Sequence, residues 1–550
     1  MEKVIKGRLV DLDREEIYGV QLLIDSAGRI AAIDRLPRYD KKGWYILPGL
    51  IDAHVHIESS MLLPTEFAKM AAIHGTVATV SDPHEIANVM GMQGVEYMLD
   101  NAKQTPLSIN FGAPSCVPAT SFETAGAVID AQGVAELLAR PDIRYLSEVM
   151  NYPGVLSGDP EVMAKLSAAK KLGKVIDGHA PGLRGEDAKA YAMAGISTDH
   201  ECTTEGEARD KLDAGMQILI REGSAAKNFS ALEGLIDEYP DRLMFCTDDS
   251  HPDDLLKGHI NQILVRAIRN GHDFWKLLRI ACRNPVRHYG LDIGGLRVGD
   301  RADFLRVDDL RSFGIMETWI NGQLVSEAGA HKMPDFDQLP INRFHCLPKQ
   351  MEDFSIKAGA NQLRAIVVED GEIVTGSQWV KTHIKDGYAH SLVEEDLVKI
   401  AVVNRYKDTP PAVAFVKGMT LRRGAIASSV AHDSHNIVAV GVDDASICRV
   451  VNALIESKGG IAAGRDEYLE VLPLPVAGIM NNESGPRVAR RYSELNGFVK
   501  RKLRCELTAP FMTLSFLSLL VIPELKLSDK GLFDGRLFGF TELFGSGGES

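Results

Sequence analysis

Residues 48–56 read PGLIDAHVH, an apolar run that closes on two histidines. The run predicts a buried strand over residues 50–54. Side chains two residues apart in an extended chain point to the same side, so His54 and His56 can reach one point. By itself the pair is a weak signal, because two surface histidines at this spacing are common. Its meaning depends on the rest of the chain.

Seven more strand-like runs follow, with helical patterns such as residues 65–73 and 94–103 between them. The runs cover residues 76–81, 107–111, 144–148, 174–177, 196–199, 216–221 and 242–247. Their ends lie roughly 20 to 35 residues apart, which is room for one crossover helix each. Eight such units predict an α/β fold built on a (β/α)8 barrel.

Polar side chains close several of these strands. They are Glu148 after the fourth, His179 after the fifth, His200 after the sixth and Asp248 after the eighth. Active sites of such barrels lie at the carboxyl ends of the strands. Four histidines and two carboxylates suit Zn, Mn or Fe, and six ligands fit two ions better than one. Asp249 competes with Asp248, because strand alternation turns only one of them toward the others.

Longer stretches carry a more specific pattern. They are HIESSM (56–61), DPHEIANVMG (82–91), NYPGV (151–155), DGHAPG (177–182), REGS (221–224), CTDD (246–249), GDRADF (299–304) and HDSHN (432–436). Together with residues 48–56 they resemble the amidohydrolase superfamily of metal-dependent hydrolases, and within it the adenine deaminase family of bacteria and archaea. The resemblance covers nearly the whole chain.

This resemblance implies a reaction and a ligand set. The reaction is hydrolysis of adenine to hypoxanthine and ammonia, a step of purine salvage or adenine catabolism. A hydroxide activated by two divalent ions would attack C6, with Asp248 as the general base. Mn or Fe is favoured, and Zn is possible. His54, His56 and Asp248 would hold the more buried ion and His179 and His200 the second, with Glu148 as a bridge in place of the carbamylated lysine of many superfamily members.

Other candidate residues have two interpretations each. Asp82, His84 and Glu85 follow the second strand. We expect His84 and Glu85 to contact the substrate and Glu85 or Asp82 to protonate the purine ring, although a helix cap or support of a metal-bound histidine is the alternative. Arg221 and Ser224 are expected to contact the purine, and an internal salt bridge is the alternative for this segment. For His432 and His435 we expect a role in domain packing or in a lid over the barrel mouth, rather than a third metal site.

Three rival functions fit parts of this pattern. A cyclic amide hydrolase of the dihydroorotase or hydantoinase kind would keep the barrel, but such enzymes commonly use the lysine bridge that is missing here. A deacetylase of the same superfamily can use a glutamate bridge. A non-enzymatic metal-binding scaffold would leave gaps in the ligand set, whereas all six positions are filled.

The length of 550 residues predicts three or four domains. We expect a small split β sandwich from residues 1–45 and 286–327, with the barrel, residues 46–285, inserted between its halves. A proline-containing linker over residues 328–353 would lead to a C-terminal α/β or α+β domain, residues 354–550.

Composition limits the partners. A net charge of −14 argues against a protein that coats nucleic acid or anionic membrane. Seven scattered cysteines without a CxxC spacing are typical of a reduced intracellular protein. The charged N-terminus and the lack of a long apolar run predict a cytoplasmic location. We expect adenine as the small-molecule partner and a homo-oligomer, a dimer, as the assembly.

Overall fold

The computed structural model describes residues 2–40, 42–224 and 226–545. They form two compact units. The first contains the residues up to Pro83, Glu96–Ser115 and Asp130–Asp337. The second contains His84–Val95, Cys116–Ile129 and the residues from Gln338 onward. Two segments inside the predicted barrel range therefore pack with the residues from Gln338 onward.

Eight parallel strands form the centre of the first unit. They are Leu50–Val55, Thr76–Ser81, Ser108–Ala113, Ile143–Val149, Ile176–Gly178, Thr198–Asp199, Gln217–Arg221 and Leu243–Cys246. The first five pair in sequence order, as do the last three. Backbone hydrogen bonds join the two groups, from Ser197 N–H to Ile176 O (2.9 Å) and from Asp248 N–H to His54 O (2.9 Å). The predicted α/β barrel fold is confirmed, and each predicted run overlaps an observed strand.

A second sheet of the first unit joins chain segments from both sides of the barrel. Its eight strands lie in the order Ala330–His331, Gln323–Glu327, Ile315–Ile320, Phe304–Val307, Tyr45–Pro48, Lys3–Asp11, Glu16–Ile24 and Ile30–Arg35. Tyr45–Pro48 pairs with Phe304–Val307, so the first and last segments share one sheet. Its apolar core uses both segments, with Phe304 stacked on Trp319.

Helices follow most of the barrel strands. The α-helices of the chain are Pro64–Ile73, His84–Met90, Met92–Ala102, Ala131–Ala139, Tyr152–Ser157, Pro160–Lys171, Gly185–Met193, Glu205–Asp213, Phe229–Leu232, Pro252–Leu255, Ile260–Arg269, Phe274–Leu278, Asn284–Tyr289, Asp444–Ser457, Gly485–Lys502 and Pro510–Ser515. Among the described residues, no helix combines the length and the apolar character that crossing a membrane requires.

The second unit is rich in β structure. Its main sheet has the order Gly376–Lys381, Gln362–Val367, Ala412–Lys417, Leu397–Val403, Ile437–Gly441, Ala425–Ser428, Gly460–Arg465 and Tyr468–Pro473, and Phe544–Gly545 pairs with the second of these. Two small sheets contain Ile356–Lys357, Tyr388–His390 and His383–Lys385, and Leu525–Ser528, Gly531–Asp534 and Gly539–Phe540. Asp444–Ser457 packs its apolar face on the main sheet, which gives the unit a core of its own.

Candidate active site

The six predicted ligands converge within the first unit. Their side chains are all buried, although all six are polar. Each stands at or just after the carboxyl end of a barrel strand whose other residues are mostly apolar and buried. The strands therefore hold these polar groups at one end of the barrel. Those groups are His54, His56, Glu148, His179, His200 and Asp248.

Asp248 lies against the histidine pair of the first strand. Its Oδ1 is 3.2 Å from His56 Nε2 and 3.6 Å from His54 Nε2, and the two imidazole nitrogens are 3.2 Å apart. Asp249, the competing residue, instead accepts a hydrogen bond from Ser59 Oγ at 2.5 Å. Asp248 is thus the member of the pair that faces the two histidines.

Glu148 lies between the two groups of histidines. Its Oε1 is 3.3 Å from His56 Nε2. Its Oε2 is 2.8 Å from His179 Nδ1 and 3.2 Å from His200 Nε2. One carboxylate therefore reaches both groups, which is the arrangement that a bridging ligand requires.

Glu201 is a member of the cluster that the sequence patterns did not single out. Its Oε1 is 3.4 Å from His200 Nε2 and 3.5 Å from His179 Nδ1. Arg221 pairs with it through Nη2 at 3.1 Å and contacts both Glu201 and Asp248 through Nη1. Arg221 thus forms the interior salt bridge that was the alternative interpretation. In the sequence, Glu201 is marked only by its position directly after His200, the histidine that ends the sixth strand.

The two carboxylates beside His200 favour positive charge on its ring. Burial alone would lower the pKa of His200, but hydrogen bonds with Glu148 and Glu201 raise it to about 10. Burial would likewise raise the pKa of Glu148, but His179 and the other imidazoles hold it well below its usual range. Imidazoles and carboxylates are the donors that divalent first-row metal ions take in proteins. The residues present therefore fit divalent metal ions.

The geometry offers several ligand sets inside the first unit. In each set the candidate ligand atoms lie within 4.8 Å of one another. The sets are His54, His56 and Asp248; His54, Glu148 and His200; and His179, His200 and Glu201. Asp82 also has a carboxylate oxygen within this distance of His56 and Glu148. Asp82 therefore belongs to the rim of the same cluster.

Ser224 lies close to the strand that carries Arg221. Its hydroxyl donates to Asp254 Oδ2 at 2.7 Å and accepts from the His251 N–H at 2.8 Å. Its own N–H donates to Asp249 O at 2.8 Å. Ser224 therefore holds the loop of residues 249–254 against its own segment through three hydrogen bonds.

A buried network beneath the site joins the first and last strands. Asp52 accepts hydrogen bonds from the Thr247 hydroxyl (2.5 Å) and the Thr247 N–H (3.0 Å), and its Oδ2 is 2.9 Å from His259 Nε2. Asp52 precedes His54 by two residues and Thr247 precedes Asp248 by one. The network thus fixes the spacing between ligands from two strands.

A second network supports the two histidines of the later strands. Lys211 Nζ donates to Asp199 Oδ2 (2.9 Å), Glu207 Oε1 (2.8 Å) and Ala180 O (2.6 Å). The other oxygen of Asp199 accepts from the Ala180 N–H at 2.9 Å. Asp199 and Ala180 are the chain neighbours of His200 and His179. One buried lysine therefore anchors the backbone beside both candidate ligands.

A separate polar cluster lies within the second unit. The Glu85 carboxylate contacts His432 Nδ1 and His435 Nε2. His84 Nε2 is 3.5 Å from Asp433 Oδ1. All of these side chains are buried. His84 and Glu85 of the first motif therefore contact His432, Asp433 and His435 of the second. No local sequence pattern connects these two motifs.

Comparisons with known proteins extend over both units. The profile described as "Amidohydrolase family" matches residues 45–325, and the one described as "Adenine deaminase C-terminal domain" matches residues 372–539. A relative from Salinibacter ruber named adenine deaminase is 53% identical over 98% of each chain. Others of that name are 54% identical (Methanosarcina acetivorans) and 52% identical (Sulfurovum sp.), each over 98% of this chain and 99% of the relative.

Proposed function

Because the chain belongs to the adenine deaminase family, within the amidohydrolases, we propose that it hydrolyses adenine to hypoxanthine and ammonia at the cluster in its first unit. The observation that supports this most is the Glu148 carboxylate, which reaches His56 on one side and His179 and His200 on the other. A hydrolase with this ligand set needs no covalent intermediate with the protein.

The proposed cofactor is a pair of divalent ions, with Mn or Fe favoured and Zn possible. His54, His56 and Asp248 would hold one ion, His179 and His200 the other, and Glu148 would contact both. When bound, such ions lower the pKa of a water molecule so that it becomes a nucleophile at neutral pH. Glu201 would be a further ligand of the second ion, because its Oε1 lies within 3.5 Å of the same ring nitrogens of His179 and His200 that face Glu148.

Asp248 is proposed to accept the proton that the water loses. Its Oδ1 faces His54 and His56, and its Oδ2 is held by the Arg221 guanidinium. Arg221 would therefore act by orienting this carboxylate. Direct contact of the purine with His84, Arg221 and Ser224 stays a prediction.

Asp82 and Glu85 are proposed to move the proton at the purine ring. Asp82 lies beside His56 and Glu148. Glu85 follows it by three residues in the same sequence motif, residues 82–91. Deamination of adenine requires a proton on a ring nitrogen and on the leaving amino group, and carboxyl groups supply this step in many enzymes.

A substrate panel tests the proposal. Metal-loaded protein is incubated separately with adenine, adenosine and a hydantoin, and ammonia and the purine product are measured. We expect ammonia and hypoxanthine from adenine alone. Ammonia from adenosine but not from adenine would contradict the proposal, as would ring opening of the hydantoin without turnover of adenine.

Three further predictions remain beyond this site. They are a cytoplasmic location, a homodimeric assembly and the domain boundaries at residues 45, 285, 327 and 353. The second sheet of the first unit supports the view that the barrel is an insertion. Its strand at residues 45–48 precedes the barrel in the chain, its strand at residues 304–307 follows the barrel, and the two strands pair with each other.

A further inference from the structure

The segment His432–His435 belongs to a loop of the second unit that carries only buried residues. The loop joins Ala425–Ser428 to Ile437–Gly441, two paired strands of the main sheet. Hydrogen bonds to two other segments hold the loop in place. Tyr406 Oη donates to Ser434 O at 2.6 Å, and the Ser429 hydroxyl donates to Gly478 O at 2.6 Å. The loop is thus a well-supported platform for its side chains.

Both histidines of this loop point at one carboxylate. His432 Nδ1 contacts Glu85 Oε1, and His435 Nε2 contacts Glu85 Oε2. The partners are 347 and 350 residues apart in the chain. One histidine at each oxygen fixes both the position and the rotation of the carboxylate.

The backbone fixes which nitrogen of His435 carries the proton. The Ala431 N–H donates to His435 Nδ1 at 3.3 Å. Because Nδ1 accepts, the ring hydrogen lies on Nε2, which then donates to Glu85. The ring of His432 stacks on Phe516 with centroids 4.9 Å apart, which sets its orientation as well.

The same loop also contacts His84, the residue before Glu85. Asp433 Oδ1 is 3.5 Å from His84 Nε2. Three of the four side chains of the segment therefore contact His84 or Glu85. These two begin the helix His84–Met90, directly after Asp82 and Pro83.

We propose that His432 and His435 are positioning residues for Glu85. They fix both oxygens of the carboxylate to which the proposed function gives the proton transfer at the purine ring. The inference rests on the proposed function, because it gives Glu85 its role in adenine deamination. It also assigns a task in the reaction to the C-terminal part of the chain.

Paired substitutions test this positioning. The side-chain amide nitrogen of Asn imitates His Nδ1, and that of Gln imitates His Nε2. His432→Asn and His435→Gln therefore keep the donor to Glu85, whereas His432→Gln and His435→Asn misplace it. We expect the matched variants to stay within about 5-fold of the parent kcat and the mismatched variants to lose about 100-fold, the size of effect that a misplaced group produces.

The KM for adenine should change less than kcat in all four variants. Adding a mismatched substitution to Glu85→Gln should cost little more, because both changes act through one carboxylate. His383→Asn, at an exposed histidine of the same unit, is the control with parental activity. Metal content and thermal transition are measured for every variant.

Two outcomes overturn the inference alone. The first is an equal loss in matched and mismatched variants of a parent that deaminates adenine. The second is a double variant in which the fold-loss of kcat equals the product of the losses caused by the mismatched substitution and by Glu85→Gln separately. A parent chain with no adenine turnover when metal-loaded would overturn the proposed function, and this inference with it.

Discussion

Asp248 divides its two carboxylate oxygens between different partners. One oxygen lies 3.2 Å from His56 Nε2, and the other receives the Arg221 guanidinium. Burial opposes the ionised form, but Arg221 and the two histidines hold the pKa of Asp248 well below its usual range. A carboxylate in this setting is ionised and oriented, as a metal ligand has to be.

Substitution of Asp248 by Asn should lower kcat for adenine by about 100-fold or more, the usual cost of losing a general base. Asp249→Asn is the matched control. Asp249 bonds to Ser59, so a much smaller loss is expected. Steady-state deamination rates of both variants check this. A larger loss in Asp249→Asn than in Asp248→Asn would reverse the assignment.

Lys526, which lies outside the metal-ion cluster, makes the stability of the fold depend on pH. Its Nζ is buried and donates to Ile373 O (2.9 Å) and Phe516 O (3.0 Å), and burial lowers its pKa from 10.5 to about 7. Between these two pH values the unfolded chain binds a proton that the folded chain does not. The stability of the fold therefore rises with pH across this window.

Lys526→Met should remove this dependence. We expect the thermal transition of the variant, relative to that of the parent, to fall by several degrees as pH rises from neutral to alkaline. Lys385→Met, at an exposed lysine, is the control and should follow the parent. Calorimetric scans across the window measure both differences. A constant difference for Lys526→Met would show that the lysine is charged in the folded protein throughout.

At the scale of elements, the helix Glu205–Asp213 supports two strands that lead to candidate metal ligands. Its Lys211 bonds to Asp199 and to Ala180 O, the neighbours of His200 and His179. The side chain of Lys211 is fully buried. Its removal would leave the carboxylates of Asp199 and Glu207 buried without their cation.

Lys211→Met should therefore destabilise the protein by about 3–5 kcal/mol, the cost of breaking a buried ion pair. It should also weaken metal binding by about 10- to 100-fold, as loss of such supporting contacts does. Thermal denaturation and metal titration check the two effects. Lys189→Met, which breaks an exposed pair with Glu186, should change neither. Equal stability and equal metal affinity of the two variants would contradict the supporting role of Lys211.

The barrel strands could be predicted because apolar runs of strand length recur at regular intervals and end in polar residues. His54, His179 and Asp248 were found in this way. Glu201 was not, because it follows the strand-end residue His200 in a loop, where no periodicity marks its direction. The contacts of Glu85 with His432 and His435 join residues about 350 positions apart, and no local pattern encodes such a pairing.

The whole chain combines two units with a buried polar cluster in each. In the first, the ligand set centres on Glu148, and in the second, the loop at His432–His435 centres on Glu85. Burying so many ionisable groups is costly unless each group has a partner. In both clusters the carboxylate lies between imidazoles, which supply such partners.

Removal of divalent ions should abolish adenine turnover. A chelator that leaves less than about one-tenth of an ion per chain is expected to eliminate activity, since the cluster loses the ions that activate water. Addition of Mn, Fe or Zn should restore it, with saturation at two ions per chain. Elemental analysis alongside the ammonia assay checks both points. Full activity in the metal-depleted protein would contradict the ligand assignment.

The most direct test of hydrolytic adenine deamination is turnover in water enriched in the heavy oxygen isotope. Adenine is incubated with metal-loaded protein, and the purine product and ammonia are measured by mass spectrometry and by a coupled assay. We predict hypoxanthine that carries one heavy oxygen atom, with one ammonia released for each. Unchanged adenine, or hypoxanthine without the heavy isotope, would contradict the account.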